Sequence, residues 1–212
     1  MNRYTHIIWD WNGTLLDDVD WSMETINTML KKRGLHALET VEAYHGAFGF
    51  PVIDYYRRVG LDFEKEPFEK LAAEYVEAYY SSMDYVSLYP DAEAALARFR
   101  DEGLRQVILS ASELKYLIAQ VKPFGICAYF DEILGATDIY AAGKTSLGVD
   151  YIRRARPAKA LLIGDTAHDM EVARALGADC VLVAGGHQGK TALASSGARV
   201  AERLGDVFSL LP

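Results

Sequence analysis

Cysteine and long apolar runs are scarce in this sequence. The two cysteines among its 212 residues, Cys127 and Cys180, lie in dissimilar apolar settings. This argues against a disulfide framework or a zinc site, and we expect two reduced core residues. No apolar run approaches the roughly 18 residues needed to cross a bilayer. The opening MNRYTHIIWD is too short and too polar for a secretory signal, so we expect a cytoplasmic protein.

Basic residues are outnumbered as well, since 22 Lys and Arg face 30 Asp and Glu, which gives a net charge of -8. This charge argues against nucleic acid or an anionic membrane surface as a partner. An acidic protein of this kind would need a local cation in order to bind a phosphate compound. Charged residues make up 25% and apolar residues 50% of the chain, which is typical of a soluble globular protein with a sizeable core.

Four short runs of β-branched or aliphatic residues predict buried strands. From residue 91 onward these runs alternate with helical patterns, which favours an α/β fold with a Rossmann-like, doubly wound parallel sheet. The predicted strands are Tyr4 to Trp9, Gln106 to Leu109, Ala160 to Ile163 and Cys180 to Val183, and the predicted helices are Ala92 to Arg100, Glu113 to Val121, Thr145 to Arg154 and Ala167 to Leu176.

Residues 17–86 interrupt this alternation, because several helical patterns follow one another there without a clear strand. We therefore expect a helical domain inserted into an α/β core that consists of residues 1–16 and 87–212. In the longest predicted helix, apolar residues between Phe68 and Tyr79 recur at helical spacing and form one face.

The first predicted strand ends in Asp10, which is followed by Asn12, Gly13 and Thr14. Ligands of open parallel sheets bind outside the carboxyl ends of the strands, so Asp10 lies where a reacting group is expected. Gly13 permits a sharp turn and a close approach of the backbone to a ligand. Asn12 and Gly13 are also a strong hairpin signal, but the residues that follow do not alternate like a returning strand.

A second strand end repeats this design, because Ile163 is followed by Gly164, Asp165 and, four residues later, Asp169. Carboxylates that are packed together repel one another and raise one another's pKa, so a hard divalent cation is the natural partner of Asp10, Asp165 and Asp169. Asp165 or Asp169 alone can equally be a helix cap. Together with Asp10 they favour a metal site.

Two further element boundaries carry candidates for phosphate binding. Ser110 and Ala111 follow a predicted strand, and their hydroxyl and backbone amides can hold phosphate oxygens near the start of the next helix. A helix cap by Ser112 is compatible with that interpretation. Lys144 precedes a predicted helix and can neutralise charge between a nucleophile and a phosphate, although a lone lysine is more often a solvated surface residue.

These motifs occur in a recognisable order. A strand that ends in Asp-x-x-Gly-Thr-Leu is followed by a serine at a strand end, a lysine and Gly-Asp-Thr-x-x-Asp. This order resembles the haloacid dehalogenase-like hydrolase superfamily, and in particular its phosphoglycolate-phosphatase-like branch, over essentially the whole chain. The resemblance implies that residues 17–86 are a helical cap domain.

The resemblance also implies a metal site and a nucleophile. Asp10 would be the nucleophile and a magnesium ligand, and Asn12 would offer its backbone carbonyl to the ion. Asp165 would bind the ion directly, and Asp169 would do so directly or through water.

The phosphoryl oxygens would be held by Ser110, Ala111 and Lys144, the last of which would also contact Asp10. The expected activity is Mg²⁺-dependent hydrolysis of a small phosphorylated metabolite through an aspartyl-phosphate, by a monomer or a homodimer.

The sequence departs from this pattern at Asn12, where phosphatases of the superfamily usually carry an acid-base aspartate. An amide cannot exchange a proton at neutral pH, and the loss of general acid-base help typically costs about 10²–10⁴-fold in rate. Three hypotheses follow: a substrate such as an acyl phosphate whose leaving group needs no proton, a slow phosphatase with another proton donor such as His45, or a silent protein that binds phospho-ligands. We favour a phosphatase with altered or slow chemistry.

A competing motif runs from Ala184 to Thr191, where Ala-Gly-Gly-His-Gln-Gly-Lys-Thr follows an apolar strand. It is a relaxed match to a nucleotide-binding phosphate loop and would indicate an ATPase or kinase. Short motifs match by chance, and few residues remain after Thr191 to complete a nucleotide site. The other histidines, including His187, form no metal-ligand spacing, and we expect most of them to be structural or surface residues.

Overall fold

Helices and short strands alternate along most of the chain, and the computed structural model describes residues 4–81, 85–140 and 143–211. In chain order the elements are β1 (His6–Trp9), β2 (Leu16–Asp17), α1 (Val19–Lys32), α2 (Val41–Ala47), α3 (Val52–Arg58), α4 (Phe68–Tyr80), β3 (Ser87–Leu88), α5 (Ala92–Asp101), β4 (Arg105–Glu113), α6 (Leu114–Val121), β5 (Glu132–Ala136), α7 (Lys144–Ala155), β6 (Ala160–Gly164), α8 (Ala167–Leu176), β7 (Asp179–Val183), α9 (Lys190–Ser195) and β8 (Arg199–Ala201). Short 3₁₀ helices span Lys122–Phe124, Cys127–Tyr129 and Leu204–Leu210.

A six-stranded sheet in the order β5-β4-β1-β6-β7-β8 forms the core. All neighbouring strands in it are parallel, and β1 lies between β4 and β6. Trp9 at the end of β1 aligns with Ile108 in β4 and with Ile163 in β6. The residues that follow these positions therefore meet at one edge of the sheet.

Successive residues of β1 enter two different apolar layers. Ile7 and Trp9 pack into the cluster on one face of the sheet, whereas Ile8 packs into the cluster on the other face. This alternation follows from the two-residue period of a strand, and it works here because helices cover both faces. The predicted α/β fold with a Rossmann-like parallel sheet is confirmed.

The short strands β2 and β3 pair antiparallel and connect the core to four consecutive helices, α1 to α4. These helices enclose an apolar cluster of their own that includes Ile26, Tyr44, Tyr56 and Leu71. From this separate cluster we propose that residues 17–86 form a cap domain on a core of residues 1–16 and 87–212. Residues 1–3, 82–84, 141–142 and 212 of these ranges lie outside the described residues.

The strands β5 and β8 were not expected from the sequence. β5 contains a glutamate and a glycine, and β8 has three residues, so neither gives an apolar run long enough to recognise. The prediction of two core cysteines is wrong for Cys127, which is exposed, while Cys180 is half-buried. Within the described ranges, none of the helices combines the length and apolar character that a membrane span requires.

Candidate active site

Three aspartates meet at the carboxyl ends of β1 and β6. Each of Asp10, Asp165 and Asp169 offers one carboxylate oxygen to a group whose members lie within 4.8 Å of one another. All three side chains are buried. Asp10 follows β1 directly, Asp165 follows β6, and Asp169 lies in the first turn of α8. Because β1 and β6 are adjacent parallel strands that end at the same height in the sheet, residues more than 150 positions apart converge there.

Lys144 lies inside this cluster. Its ammonium is 2.6 Å from Asp10 Oδ1 and 2.6 Å from Asp169 Oδ1. Lys144 is the first residue of α7, where the helix dipole disfavours a cation. Burial also disfavours its charge, but the two carboxylates outweigh burial and raise the pKa of Lys144. The lysine is thus a fixed positive charge beside Asp10.

One lysine does not neutralise three buried carboxylates. Burial raises the pKa of Asp10, despite the opposing effect of Lys144. Burial raises the pKa of Asp165 further, and Asp10 and Asp169 add to that effect. Asp169 is the exception, because Lys144 and Thr166 outweigh burial and lower its pKa. Oxygen donors in this electrostatic state are suited to a hard divalent cation.

The loops around the cluster fix the orientation of Asp165. Its carboxylate accepts hydrogen bonds from Thr14 Oγ1 at 3.0 Å and from the backbone amide of His187 at 2.6 Å. Gly13 has a φ of 70°, and a Cβ at this position would collide with Asp165. Only glycine fits such a position without strain, as the sequence suggested.

Asp169 combines two roles that the sequence left open. Thr166 is the N-cap of α8, and Asp169 completes a capping box with it through its Oδ2. The other oxygen, Oδ1, accepts the hydrogen bond from Lys144. The helix cap therefore orients the carboxylate toward the cluster rather than competing with it.

Ser110, Ala111 and Asn12 line the same cavity as Asp10, Lys144 and Asp165. Ser110 is buried, and its Oγ accepts a hydrogen bond from the amide of Ser112 at 3.1 Å. The strand was expected to end at Leu109, but β4 continues to Glu113 with a shift of register after Leu109. Ser110 therefore lies in an irregular stretch of strand rather than beyond a strand end.

The Asn12 side chain is fully engaged in hydrogen bonds. Its Nδ2 donates to Asp18 Oδ2 and to Tyr79 Oη, both at 2.9 Å. Its Oδ1 accepts from Ser112 Oγ at 3.0 Å. Tyr79 also donates to Asp18 Oδ2, at 2.6 Å. The amide is therefore held by residues of the cap and the core together.

Asp18 and His187 are cavity residues that the sequence analysis missed. His187 Nε2 is 3.3 Å from Asp18 Oδ1, and His187 Nδ1 is 2.8 Å from the hydroxyl of Tyr44. Burial opposes the imidazolium, but Asp18 and Asp165 outweigh it and raise the pKa of His187 to about 9. Burial likewise opposes the Asp18 carboxylate, yet His187, Tyr79 and Asn12 lower its pKa. The available signal was that His187 follows the strand β7, whose carboxyl end faces the same sheet edge.

Two other candidates lie elsewhere. His45 Nε2 is 2.8 Å from the backbone oxygen of Gly186, so it joins α2 to a core loop and does not line the cavity. In the segment that resembles a nucleotide-binding loop, Lys190 is exposed and pairs with Glu202 at 2.5 Å. That segment contributes His187 to the carboxylate site instead of holding Lys190 near it.

The cavity between core and cap has a volume of about 160 Å³. Its core side carries most of the charged residues, among them Asp10, Lys144 and Asp165, while the cap side is mainly aromatic. The arrangement places a candidate nucleophile, a fixed cation and a candidate metal site beside one cavity.

Comparisons with known proteins agree with this geometry. A model of the haloacid dehalogenase-like hydrolase family matches residues 7–183. A phosphoglycolate phosphatase of Rhodobacter capsulatus is 28% identical, with coverage of 86% of this chain and 85% of the relative. The tyrosine-protein kinase PtkA of Mycobacterium tuberculosis is also 28% identical, with coverage of 85% of this chain and 62% of the relative.

Solved structures show the same fold. A haloacid dehalogenase-like family protein from Streptococcus pneumoniae superposes with a TM-score of 0.83 at 21% identity, with 99% of both chains covered. The family match spans both the first strand with Asp10 and the strand that precedes Asp165. The chain therefore belongs to the haloacid dehalogenase-like hydrolase family, and the expected resemblance is confirmed.

Proposed function

We propose that this protein is a Mg²⁺-dependent phosphatase that hydrolyses a small phosphorylated metabolite through an aspartyl-phosphate on Asp10. The observation that carries the proposal is the convergence of Asp10, Asp165, Asp169 and Lys144 in one buried cluster, of which all but Asp169 line the cavity. Family membership and the phosphoglycolate phosphatases among the relatives support the same class of reaction. Their name makes 2-phosphoglycolate the first compound to test.

The metal site of the proposal consists of the three carboxylates and the backbone carbonyl of Asn12. All are hard oxygen donors, which Mg²⁺ prefers. The raised pKa values of Asp10 and Asp165 indicate that the cluster lacks positive charge without a cation. When bound, the ion would neutralise charge on the phosphoryl oxygens and on the attacking carboxylate.

The residues of the chain have distinct tasks in this reaction. Asp10 attacks phosphorus in line with the leaving group, so that its carboxylate carries the phosphoryl group until water hydrolyses the new bond. Negative charge accumulates on the equatorial oxygens during transfer. Lys144, Ser110 and Ala111 line the same cavity, and an ammonium, a hydroxyl and a backbone amide are suited to stabilise that charge.

Asn12 determines which phosphatase chemistry remains. Its side chain cannot donate a proton to the leaving oxygen, and its amide hydrogens already serve Asp18 and Tyr79. The proposal therefore includes slow turnover of ordinary alkyl phosphates. A phosphate-binding protein without catalytic activity is the second candidate. The absence of an acid at position 12 favours it as well.

The decisive experiment compares the wild type with Asp10→Asn. A panel of phosphorylated metabolites and p-nitrophenyl phosphate is incubated with Mg²⁺ and, separately, with a chelator. We expect Mg²⁺-dependent phosphate release that falls by about 10³-fold or more in Asp10→Asn, because a nucleophile has been removed. The matched control is Asp20→Asn, since Asp20 is exposed on α1 and does not line the cavity.

Hydrolysis that survives in Asp10→Asn would remove the proposed nucleophile. Complete absence of turnover, combined with tight binding of inorganic phosphate, would support the silent phosphate-binding candidate instead.

A further inference from the structure

We propose that the substrate is an aryl phosphate, in which the leaving group is an uncharged aromatic alcohol that binds in the cap side of the cavity. This inference rests on the proposed phosphatase activity and names its substrate class. It differs from what the names of the relatives suggest, since 2-phosphoglycolate has a charged, aliphatic leaving group.

Aromatic side chains form the part of the cavity that faces the leaving group. The rings that line it include Phe48, Phe50, Tyr55, Tyr75 and Tyr80 from the cap and Tyr116 from the core. Tyr80 and Tyr116 stack across the boundary with ring centroids 4.3 Å apart and an interplanar angle of 10°. These rings line one side of a cavity whose total volume is about 160 Å³, and they offer faces and edges against which another ring can pack.

In the described part of the chain, every cation that lines the cavity already has a carboxylate partner, which leaves none for a carboxylate on the leaving group. Among the described residues that line it, the basic side chains are Lys144 and His187. Lys144 already contacts Asp10 and Asp169, and His187 already pairs with Asp18.

Where the structure describes the cap, the residues that line the cavity include no lysine, arginine or histidine. Two further acidic residues, Asp18 and Glu113, line it as well, but each already pairs with a basic side chain, so neither attracts or repels the leaving group as a bare charge. A buried carboxylate without a partner is strongly disfavoured, so the cavity selects against 2-phosphoglycolate.

The chemistry at position 12 points independently to the same class. Asn12 has no proton to give. The two basic side chains that line the cavity, Lys144 and His187, hold their protons against buried carboxylates, so the leaving oxygen departs as an anion. A phenol has a pKa of roughly 10, close to that of tyrosine, whereas alcohols resemble water at about 16. A phenolate therefore leaves without general acid help far more readily than an alkoxide.

The reaction balances with water as the only co-reactant. In the first step the bond from an Asp10 oxygen to phosphorus forms, the bond from phosphorus to the aryl oxygen breaks, and the phenolate keeps the electron pair. In the second step water attacks phosphorus and breaks the bond to Asp10. The proton that water releases converts the phenolate to the phenol, and inorganic phosphate leaves.

The test compares kcat/KM of the wild type with Mg²⁺ for phenyl phosphate, an alkyl phosphate of similar size and 2-phosphoglycolate. We expect phenyl phosphate to exceed both by about 100-fold or more, the range that a missing general acid costs. Binding is measured separately by calorimetry with phenylphosphonate and phosphonoacetate, which are not hydrolysed. Phenylphosphonate should bind at least about tenfold more tightly, because its ring is buried in the cavity.

A pair of variants tests whether the lack of a cation for a carboxylate sets the specificity. Val76 lines the cavity from α4, and Ala73 is exposed on the same helix. We expect Val76→Arg to raise the ratio of kcat/KM for 2-phosphoglycolate over phenyl phosphate by about tenfold or more, as a new charge-assisted hydrogen bond to a carboxylate allows. The control Ala73→Arg should leave that ratio unchanged.

The outcomes separate this inference from the proposed function. If 2-phosphoglycolate is hydrolysed as well as phenyl phosphate and loses its turnover in Asp10→Asn, the phosphatase stands and the aryl specificity is wrong. If phenylphosphonate and phosphonoacetate bind equally, the aromatic cavity does not select the leaving group. If phenyl phosphate is hydrolysed equally by wild type and Asp10→Asn, the proposed function itself fails.

Discussion

Asp18 gives a physical reason for the amide at position 12. Asp18 Oδ2 lies 2.9 Å from the nitrogen of Asn12, which donates a hydrogen bond to it. A carboxylate at position 12 would face Asp18 at that distance without a proton between them. The amide of Asn12 is therefore matched to Asp18 by this hydrogen bond. It is part of the contact between cap and core rather than an isolated change in the motif.

The pair of His187 and Asp18 predicts a pH dependence of stability. His187 has a pKa of about 9 in the folded protein, above its ordinary value of 6.5. Its contribution to the free energy of unfolding is therefore fully present below about pH 6.5 and lost as the pH rises through about 9. The Asp18 carboxylate has a lowered pKa, so its contribution disappears only in acid.

We expect the melting temperature of the wild type to fall between pH 6.5 and 9.5, and that of His187→Gln to fall less. The measurement is thermal unfolding in a chelator, so that metal binding does not contribute. His36→Gln is the control, because His36 is exposed on the protein surface. Parallel curves for all three proteins would contradict the buried ion pair.

At the scale of elements, two helices begin with a threonine cap but differ in what the cap holds. Thr40 caps α2 through the amide of Ala43. Thr166 caps α8 and also donates to Asp169 Oδ2 at 2.7 Å. Only the second cap is connected to the carboxylate cluster.

We expect Thr166→Ala and Thr40→Ala each to destabilise the protein by about 1 kcal/mol, the typical cost of a lost N-cap. Thr166→Ala should in addition weaken Mg²⁺ binding by about tenfold, because Asp169 loses a partner that orients it. Urea unfolding and calorimetric titration with Mg²⁺ measure the two effects. Equal Mg²⁺ affinity in both variants would show that Thr166 acts on helix stability alone.

At the scale of the whole molecule, the net charge of the buried cluster at the carboxyl ends of β1 and β6 favours the binding of a metal ion. Asp10, Asp165 and Asp169 carry three negative charges when ionised, and Lys144 supplies one positive charge. Two negative charges stay uncompensated, which a divalent cation matches. An ion that binds the folded protein alone stabilises it by about 2.7 kcal/mol at 100 times its dissociation constant.

We therefore expect saturating Mg²⁺ to raise the melting temperature by roughly 5–10 °C for a chain of this size. Differential scanning fluorimetry with MgCl₂, and with KCl at equal ionic strength, measures the shift. In Asp165→Asn the shift should nearly vanish, while Lys190→Ala should retain it, since Lys190 pairs with Glu202 at the surface. A full shift in Asp165→Asn would place the ion elsewhere.

The sequence by itself determined the α/β class and the positions of Asp10, Asp165 and Lys144 at element ends. These features are local: the apolar run of a strand and the start of a helix depend on neighbouring residues, and parallel strands bring their carboxyl ends to one edge. Short strands such as β8 were not predicted, because three residues are too few to show a recognisable hydrophobic pattern.

Only the tertiary structure decided which side chains surround Asn12. Asp18 and His187 are 169 positions apart and pair because the cap closes over the loop after β7. The position of His187 after β7 indicates its edge of the sheet, but no local pattern near either residue predicts that the two pair. Such contacts depend on the path of the whole chain, so the convergence of Asp10, Asp165 and Asp169 was predictable from motifs whereas the surroundings of Asn12 were not.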